Sequence, residues 1–254
     1  MNKRITASQI SEIKRLSKAG YSLVALSKKF TMGKSTIYYH AKICCQKMSK
    51  FDAGLLNDEE RGYILGIFLG DGSFNKGKKN PRFFVRFTLD AKRDVDIAFQ
   101  LVNIFKKAGK KIRLISYKSN IIAKTCSKEL VNYVKEYINY NEGCKSLESL
   151  KNLSENFEYD FIAGLIDSDG HVHEHLGTEI KTVSKQISDR VLEILNELGM
   201  PAEIKIRNPP NNSFSNRPRF EIYMRSRDIK QHKNKIPSVK INRYSTKFPR
   251  PEKD

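Results

Sequence analysis

The sequence predicts an α+β protein. Two pseudo-symmetric αββαββα repeats form antiparallel saddle sheets around a central helix pair, and a small all-α unit precedes them. Three observations predict this. The run Ile64-Leu65-Gly66-Ile67-Phe68-Leu69-Gly70-Asp71-Gly72 returns as Ile162-Ala163-Gly164-Leu165-Ile166-Asp167-Ser168-Asp169-Gly170, its acid 98 residues further on. After each copy the apolar pattern changes from helical spacing to the two-residue alternation of strands, then back. The first 48 residues carry their own pattern of three short helices.

At 254 residues, 39% apolar and 30% charged, the chain has the composition of a folded protein rather than a disordered one. Its 47 Lys and Arg against 28 Asp and Glu give a formal charge of +19, which points to a polyanionic partner. The longest apolar runs, 63–69 and 161–166, fall far short of the ~20 residues of a membrane span, so no membrane partner is expected. Cys44, Cys45, Cys126 and Cys144 match neither a zinc ribbon nor a disulfide framework, and no signal peptide precedes them. They read as reduced thiols in a cytoplasmic, nucleoid-associated protein.

In residues 5–44, Ile10, Ile13 and Leu16 recur at helical spacing and Gly20 stops the helix. Ser22 then caps a second helix bearing Leu23, Leu26 and Phe30, and Thr31-Met32-Gly33 turns the chain. The third helix, 34–44, sets Ser35, Thr36, Tyr38, Tyr39, His40 and Lys42 around Ile37, a pattern suited to a recognition helix in a major groove. The stretch resembles the helix-turn-helix of resolvase-like and homeodomain-like proteins, with Ser35, Thr36 and Tyr38 as DNA contacts. Residues 1–50 hold eleven Lys and Arg against the single acid Glu12, which favours DNA contact over a plain packing unit.

Residues 45–58 read as a linker ending at Asn57-Asp58-Glu59-Glu60, good caps for the helix that follows. In that helix Gly62, Gly66 and Gly70 lie on one stripe, although an interior Gly costs about 1 kcal/mol relative to Ala. Close approach of a second backbone compensates, and the helix bearing Gly164 and Ser168 is the natural partner. Beyond Gly72, a short strand at 73–76 and a turn at 76–80 lead to a strand in which Arg82, Phe84, Arg86 and Thr88 alternate with Phe83, Val85 and Phe87. A helix over 95–107, strands at 111–117 and 120–126 presenting Arg113 and Lys124, and a helix over 128–138 complete the first half. The second repeats this order. Strands at 171–175 and 179–184, the latter with Lys181, precede a helix over 187–198. Two more strands then present Lys205, Arg207, Arg219 and Arg225. The tail, 235–254, reads as irregular.

Two basic sheets flanking a helix pair would form one positive groove of a width to accept duplex DNA, with Asp71 and Asp169 together at its centre. Like charges that close demand a cation, and hydrated Mg²⁺ suits two carboxylates beside phosphates. Metal-assisted phosphodiester cleavage follows. Both nine-residue runs resemble the signature of the LAGLIDADG homing endonucleases in their single-chain, two-repeat form. The resemblance covers 59–146 and 156–245, with 1–48 as an added helix-turn-helix domain. It implies cleavage of both strands of a long, pseudo-symmetric double-stranded DNA site by a monomer, leaving short 3′ overhangs. It also implies that Asp71 and Asp169 bind Mg²⁺, with Mn²⁺ as a substitute, helped by the carbonyls of Gly70 and Ser168. A basic residue late in each half steadies the attacking water or the phosphorane, and Lys145 and Lys240 are the candidates. Leu69 stands where the second copy has Asp167, an asymmetry between the halves.

His171, His173 and His175 would share one strand face. By the 98-residue offset His171 and His173 occupy the places of Ser73 and Asn75 on the DNA side, so DNA contact is favoured over zinc. Two alternatives remain at this level: a DNA-binding regulator that does not cut, and a maturase acting on intron RNA.

Overall fold

The computed structural model describes residues 5–18, 23–41, 50–75, 83–141, 144–147, 153–209 and 217–247. By its internal contacts the chain divides into two units, Met1–Ser49 and Lys50–Asp254. In the first, α1 (Ala7–Lys18), α2 (Leu23–Phe30) and α3 (Lys34–Ala41) enclose Ile13, Leu16, Leu26, Ile37 and Ala41. Thr6 and Gln9 open α1 with a reciprocal capping box: Gln9 N–H donates to Thr6 Oγ1 and Thr6 N–H to Gln9 Oε1. Gly20, Ser22 and Lys42 lie outside the described residues.

The second unit starts earlier than the sequence suggests. Phe51, expected in a linker, is buried against the rings of Phe105 and Tyr133. The Asp52 N–H donates to Ala108 O across 3.1 Å, so the chain is tied to the core before its first long helix. That helix, α4 (Asp58–Asp71), is capped by Asn57, whose side chain accepts from Glu60 N–H at 2.9 Å. The first half continues through β1 (Gly72–Asn75), β2 (Phe84–Asp90), α5 (Val95–Lys107), β3 (Arg113–Tyr117), β4 (Asn120–Cys126) and α6 (Lys128–Tyr137). A hairpin the sequence does not foretell closes it, β5 (Ile138–Asn141) and β6 (Cys144–Leu147).

The second half runs α7 (Glu155–Asp169), β7 (Gly170–Val172), β8 (Thr178–Thr182), α8 (Lys185–Glu197), β9 (Ala202–Arg207), β10 (Arg219–Met224), α9 (Ser226–His232) and α10 (Val239–Lys247). The tail expected to be irregular therefore contains α10, with Ile241 fully buried and Val239 and Tyr244 packed on the core. The strand expected over 171–175 stops at Val172, and residues 173–177 turn, with His173 N–H donating to Gly177 O.

Both sheets are antiparallel and share one order, β1-β2-β4-β3 and β7-β8-β10-β9, so the repeat is one of topology as well as sequence. Strand alternation sorts the side chains: Val85, Phe87 and Leu89 of β2 face the core while Arg86 is exposed. The amphipathic helices α5 and α8 cover the inner faces with Ile97, Leu101, Phe105 and with Val191, Ile194, Leu195. Gly109 and Gly199 follow these helices at φ 69° and 71°, the left-handed conformation that ends a helix cheaply only in glycine. Among the described residues no helix is long and apolar enough to cross a membrane.

At the centre, α4 and α7 pack on one another more extensively than any other pair of elements. Both are buried nearly all round, Gly62 to Leu69 in one and Tyr159 to Asp167 in the other. The glycines make this possible. A β-carbon on Gly66 would overlap Phe161 O and lie 2.8 Å from Leu165 N; one on Gly164 would overlap Tyr63 O and lie 2.9 Å from Ile67 N. The obstructing atoms are backbone of the facing helix, which has nowhere to give. Gly66→Ala should therefore cost about 3 kcal/mol or more, whereas Gly199→Ala, with open space and only backbone strain, should cost about 1 kcal/mol. Urea unfolding of both variants checks the ranking; equal losses would contradict the backbone contact.

Candidate active site

The two motif helices end side by side. A β-carbon on Gly70 would collide with the Ser168 side chain and sit 3.1 Å from Asp169 Cγ, so the last turns of α4 and α7 touch where each bears its acid. Gly72 and Gly170 close the helices, donating to Phe68 O and Ile166 O. Asp71 is half-buried and Asp169 is exposed to solvent. Burial, then the Asp169 charge, push the Asp71 carboxyl up to about 7. Burial also raises Asp169, against the opposing pull of Lys145 and Lys240.

The two lysines reach this point on unlike elements. Lys145 on β6 donates from Nζ to the carbonyls of Phe68, Leu69 and Gly70 at 2.9, 2.8 and 2.6 Å. Lys240 on α10 donates to Ser168 O at 3.1 Å and Gly170 O at 3.0 Å. Each ammonium thus sits on end carbonyls of a motif helix, at the negative pole of its dipole. Burial pulls Lys145 down to about 8, although both carboxylates oppose the shift. Beside Lys145 and Asp169 opens a cavity also lined by Leu69, Lys181 and Arg219.

Among the described residues no third acid, histidine or cysteine joins Asp71 and Asp169 in a group able to hold a metal. The donors present are two carboxylates and the carbonyls of Gly70 and Ser168. An all-oxygen set with few protein ligands, its negative charge offset in part by Lys145 and Lys240, fits a hard divalent cation that keeps its waters, and does not fit zinc.

Asp167 has a structural task the sequence did not reveal. It is fully buried and accepts four hydrogen bonds: from Tyr63 OH (2.9 Å), Ser238 Oγ (2.6 Å), Val239 N–H (2.9 Å) and Lys240 N–H (3.0 Å). Burial raises its pKa, and these donors oppose the rise. Ser238 in turn accepts from Ile241 N–H as the cap of α10. The carboxylate therefore fastens the start of the helix that carries Lys240. Leu69 is the counterpart in the first half, where the β5–β6 hairpin brings the lysine without an acid. The tyrosine at 63 and the serine at 238 are far from Asp167 in sequence, and only the fold gathers them.

The residues expected on the sheet faces divide into groups. Arg86, Lys124 and Arg113 stand opposite one another across three strands. Lys181, Lys205, Arg207 and Arg219 occupy the outer face of the second sheet. Arg225 lies past the end of β10 and bonds to Glu203, which corrects its expected place in the strand. His171 is on β7 and meets His173 edge to face, centroids 4.7 Å apart, but His175 is in the turn, so the three do not share a strand face. Arg82 lies outside the described residues. Ser35 and Thr36 are exposed on α3, as is Tyr38.

Residues 150–247 match a family model described as homing endonuclease. Among solved structures the chain is similar to mesophilic variants of the homing endonuclease I-DmoI, at 19% identity over 73% of this chain and 98% of that chain, TM-score 0.56. It is similar to I-DmoI in complex with DNA and Mn, at 18% identity over 72% and 98%, TM-score 0.53. It also matches the homing endonuclease I-WcaI bound to its DNA recognition sequence, at 16% identity over 74% and 83%, TM-score 0.50. At these identities the structural likeness is one of fold, and the fold is that of the LAGLIDADG homing endonucleases.

Replacing Asp167 tests the network around it. Asp167→Asn turns one of its two acceptor oxygens into a donor facing donors and should cost about 3 kcal/mol, against about 1 kcal/mol for Tyr63→Phe. Denaturant unfolding of the two variants would measure both; an Asn variant as stable as the parent would remove Asp167 as the anchor of α10.

Proposed function

We propose that this chain is a site-specific double-strand DNA endonuclease of the homing type, hydrolysing one phosphodiester in each strand with a divalent cation. Mg²⁺ is the physiological ion in this reading and Mn²⁺ a substitute. The observation that carries it is the convergence of Asp71, Asp169, Lys145 and Lys240 on the touching ends of α4 and α7. Each of these helices runs directly into an edge strand of a sheet with an outward basic face. The homing endonuclease match over 150–247 supports the same reading.

Asp71 and Asp169 hold the cation, helped by the carbonyls of Gly70 and Ser168. When bound, the cation neutralises phosphate charge and lowers the pKa of a bound water. In the hydrolysis the water oxygen bonds to phosphorus, the phosphorus–oxygen ester bond breaks, the water gives up a proton and the departing oxygen gains one. Lys145, donating from Nζ to three end carbonyls of α4, is placed as an ammonium that steadies the attacking water or the developing phosphorane charge. The ammonium of Lys240 stabilises negative charge developing on the phosphate.

Arg86, Arg113, Lys124, Lys181, Lys205, Arg207 and Arg219 serve as DNA contacts on the sheets, with His171 and His173 at the second edge strand. The first unit acts as a helix-turn-helix, binding outside the cleavage site through Ser35, Thr36 and Tyr38 and raising the effective concentration of the nuclease on DNA.

A cleavage selection on a random duplex library would supply the target. On it Asp71→Asn or Asp169→Asn should lower cutting by about 10³-fold or more while binding changes by less than about threefold. Undiminished cutting by either variant would sink the metal assignment. Because Asp71 takes up a proton as pH falls through about 7, the cation must displace that proton below neutrality. At subsaturating Mg²⁺, cutting should decline by about tenfold per pH unit below 7, and excess Mg²⁺ should move the decline to lower pH.

A further inference from the structure

We propose that the two sheets hold duplex DNA by different means: the first is the electrostatic anchor, and the second, where Lys181, Arg207 and Arg225 are already paired to carboxylates, is chiefly a base reader. This rests on the DNA reading above.

On the first sheet the register Ser73–Arg86–Lys124–Arg113 runs straight across four strands and sets three cations side by side. Like charges directly opposite one another destabilise a sheet. Among the described residues none of the three has an acidic partner; Arg86 Nε donates only to Ser73 Oγ, at 3.3 Å. Thr88, Ile122 and Ile115 form the neighbouring row of the same face. A row of mutually repelling cations lacks one thing, a polyanion, and phosphates spaced along a duplex backbone supply it.

The second sheet has equivalent strands and a different chemistry. Its rows read His171–Glu179–Tyr223–Glu203 and Lys181–Glu221–Lys205. Lys181 pairs with Glu179 at 2.5 Å, Arg207 with Glu221 at 3.0 Å, and Arg225 with Glu203. Lys205 lies over the Tyr223 ring, 5.7 Å from its centroid. Any phosphate that Lys181, Arg207 or Arg225 gains must displace a carboxylate that then faces the DNA; among the described residues Arg219, opposite Arg207, is a contact on this face with no such pair. Carboxylates held beside the major groove are matched instead to the exocyclic amine of cytosine, the donor a glutamate reads.

The same division runs through the sequence. Residues 59–146 hold eighteen Lys and Arg against nine Asp and Glu; residues 156–245 hold fourteen against twelve. The connection after β1 contains Lys76, Lys78, Lys79 and Arg82, whereas its counterpart after β7, residues 173–177, has neither Lys nor Arg and includes Glu174.

The test is the salt dependence of binding by the full chain to a fixed random-sequence 40-base-pair duplex without divalent metal. Each phosphate contact contributes about 0.9 to the slope of log affinity against log salt. Arg86→Gln/Arg113→Gln/Lys124→Gln should therefore flatten the slope by about 2 to 3. Lys181→Gln/Arg207→Gln/Arg225→Gln should flatten it by less than about 1. Glu179→Gln/Glu203→Gln/Glu221→Gln, which removes no cation, should steepen it by about 1 or more. Equal flattening by the two cation sets, or no steepening by the glutamate set, overturns the proposal while leaving DNA binding intact. If the first variant loses its fold, Arg86→Lys/Lys124→Arg/Arg113→Lys gives the second reading: a parental slope supports the charge row, and a slope flattened by 2 or more overturns it. A parent that binds no duplex at all overturns the endonuclease reading as well.

Discussion

Two carboxylates can be brought to a common point by two helices only if the helix backbones touch first. That contact between α4 and α7 is the condition for everything else in the larger unit. Gly62, Gly66 and Gly164 remove the side chains that would hold the axes apart, and the atoms they admit are carbonyls and amides of the facing helix. Each interior glycine weakens its helix by about 1 kcal/mol, and burial of the apolar residues around both helices offsets the loss. The contact then delivers an unfavourable arrangement, acids at helix C-termini beside one another. The lysines relieve part of it and a divalent cation would relieve the rest. A stable frame is thus used to hold a locally unstable centre.

The halves solve the same problem with different parts. Up to the third helix they agree in topology and sheet order. Beyond it, one supplies its lysine from a two-stranded hairpin and the other from a helix pinned by a buried aspartate. This is why position 69 carries leucine and position 167 aspartate: Asp167 serves the helix that the first half lacks. The charge on the two sheet faces differs in the same spirit: among the described residues Arg86, Lys124 and Arg113 have no acidic partner, whereas Lys181 and Arg207 do. Under the proposed function, halves with such unlike support and unlike sheet faces need not cut their strands at equal rates.

Most of the fold was legible because period and spacing carry it. The alternation around Arg86, the helical stripe of α5 and the helix-ending Gly109 and Gly199 are local signals, and the 98-residue offset turns them into a repeat. The acids were legible as the ends of a repeated run, and the glycines as an otherwise costly stripe. What escaped reading depended on distant partners. The helix α10 looks irregular beside Pro237 and a run of basic residues; it is a helix because Ser238 caps it and Asp167, 71 residues away, binds its first amides. The linker before α4 looks featureless, yet Phe51 has a place waiting between Phe105 and Tyr133. The β5–β6 hairpin has no counterpart among the described residues of the other half from which it could be inferred.

The crowding of Asp71 by Asp169 is the property that makes the helix contact into a site, and its direct measure is the titration of Asp71. Carboxyl-carbon NMR on the metal-free protein should find it ionising near 7, about 3 units above an exposed aspartate. Asp169→Asn should move it down toward the ordinary range without restoring it fully, since burial remains. An Asp71 that titrates near 4 in the parent, or one that does not respond to Asp169→Asn, would contradict the account.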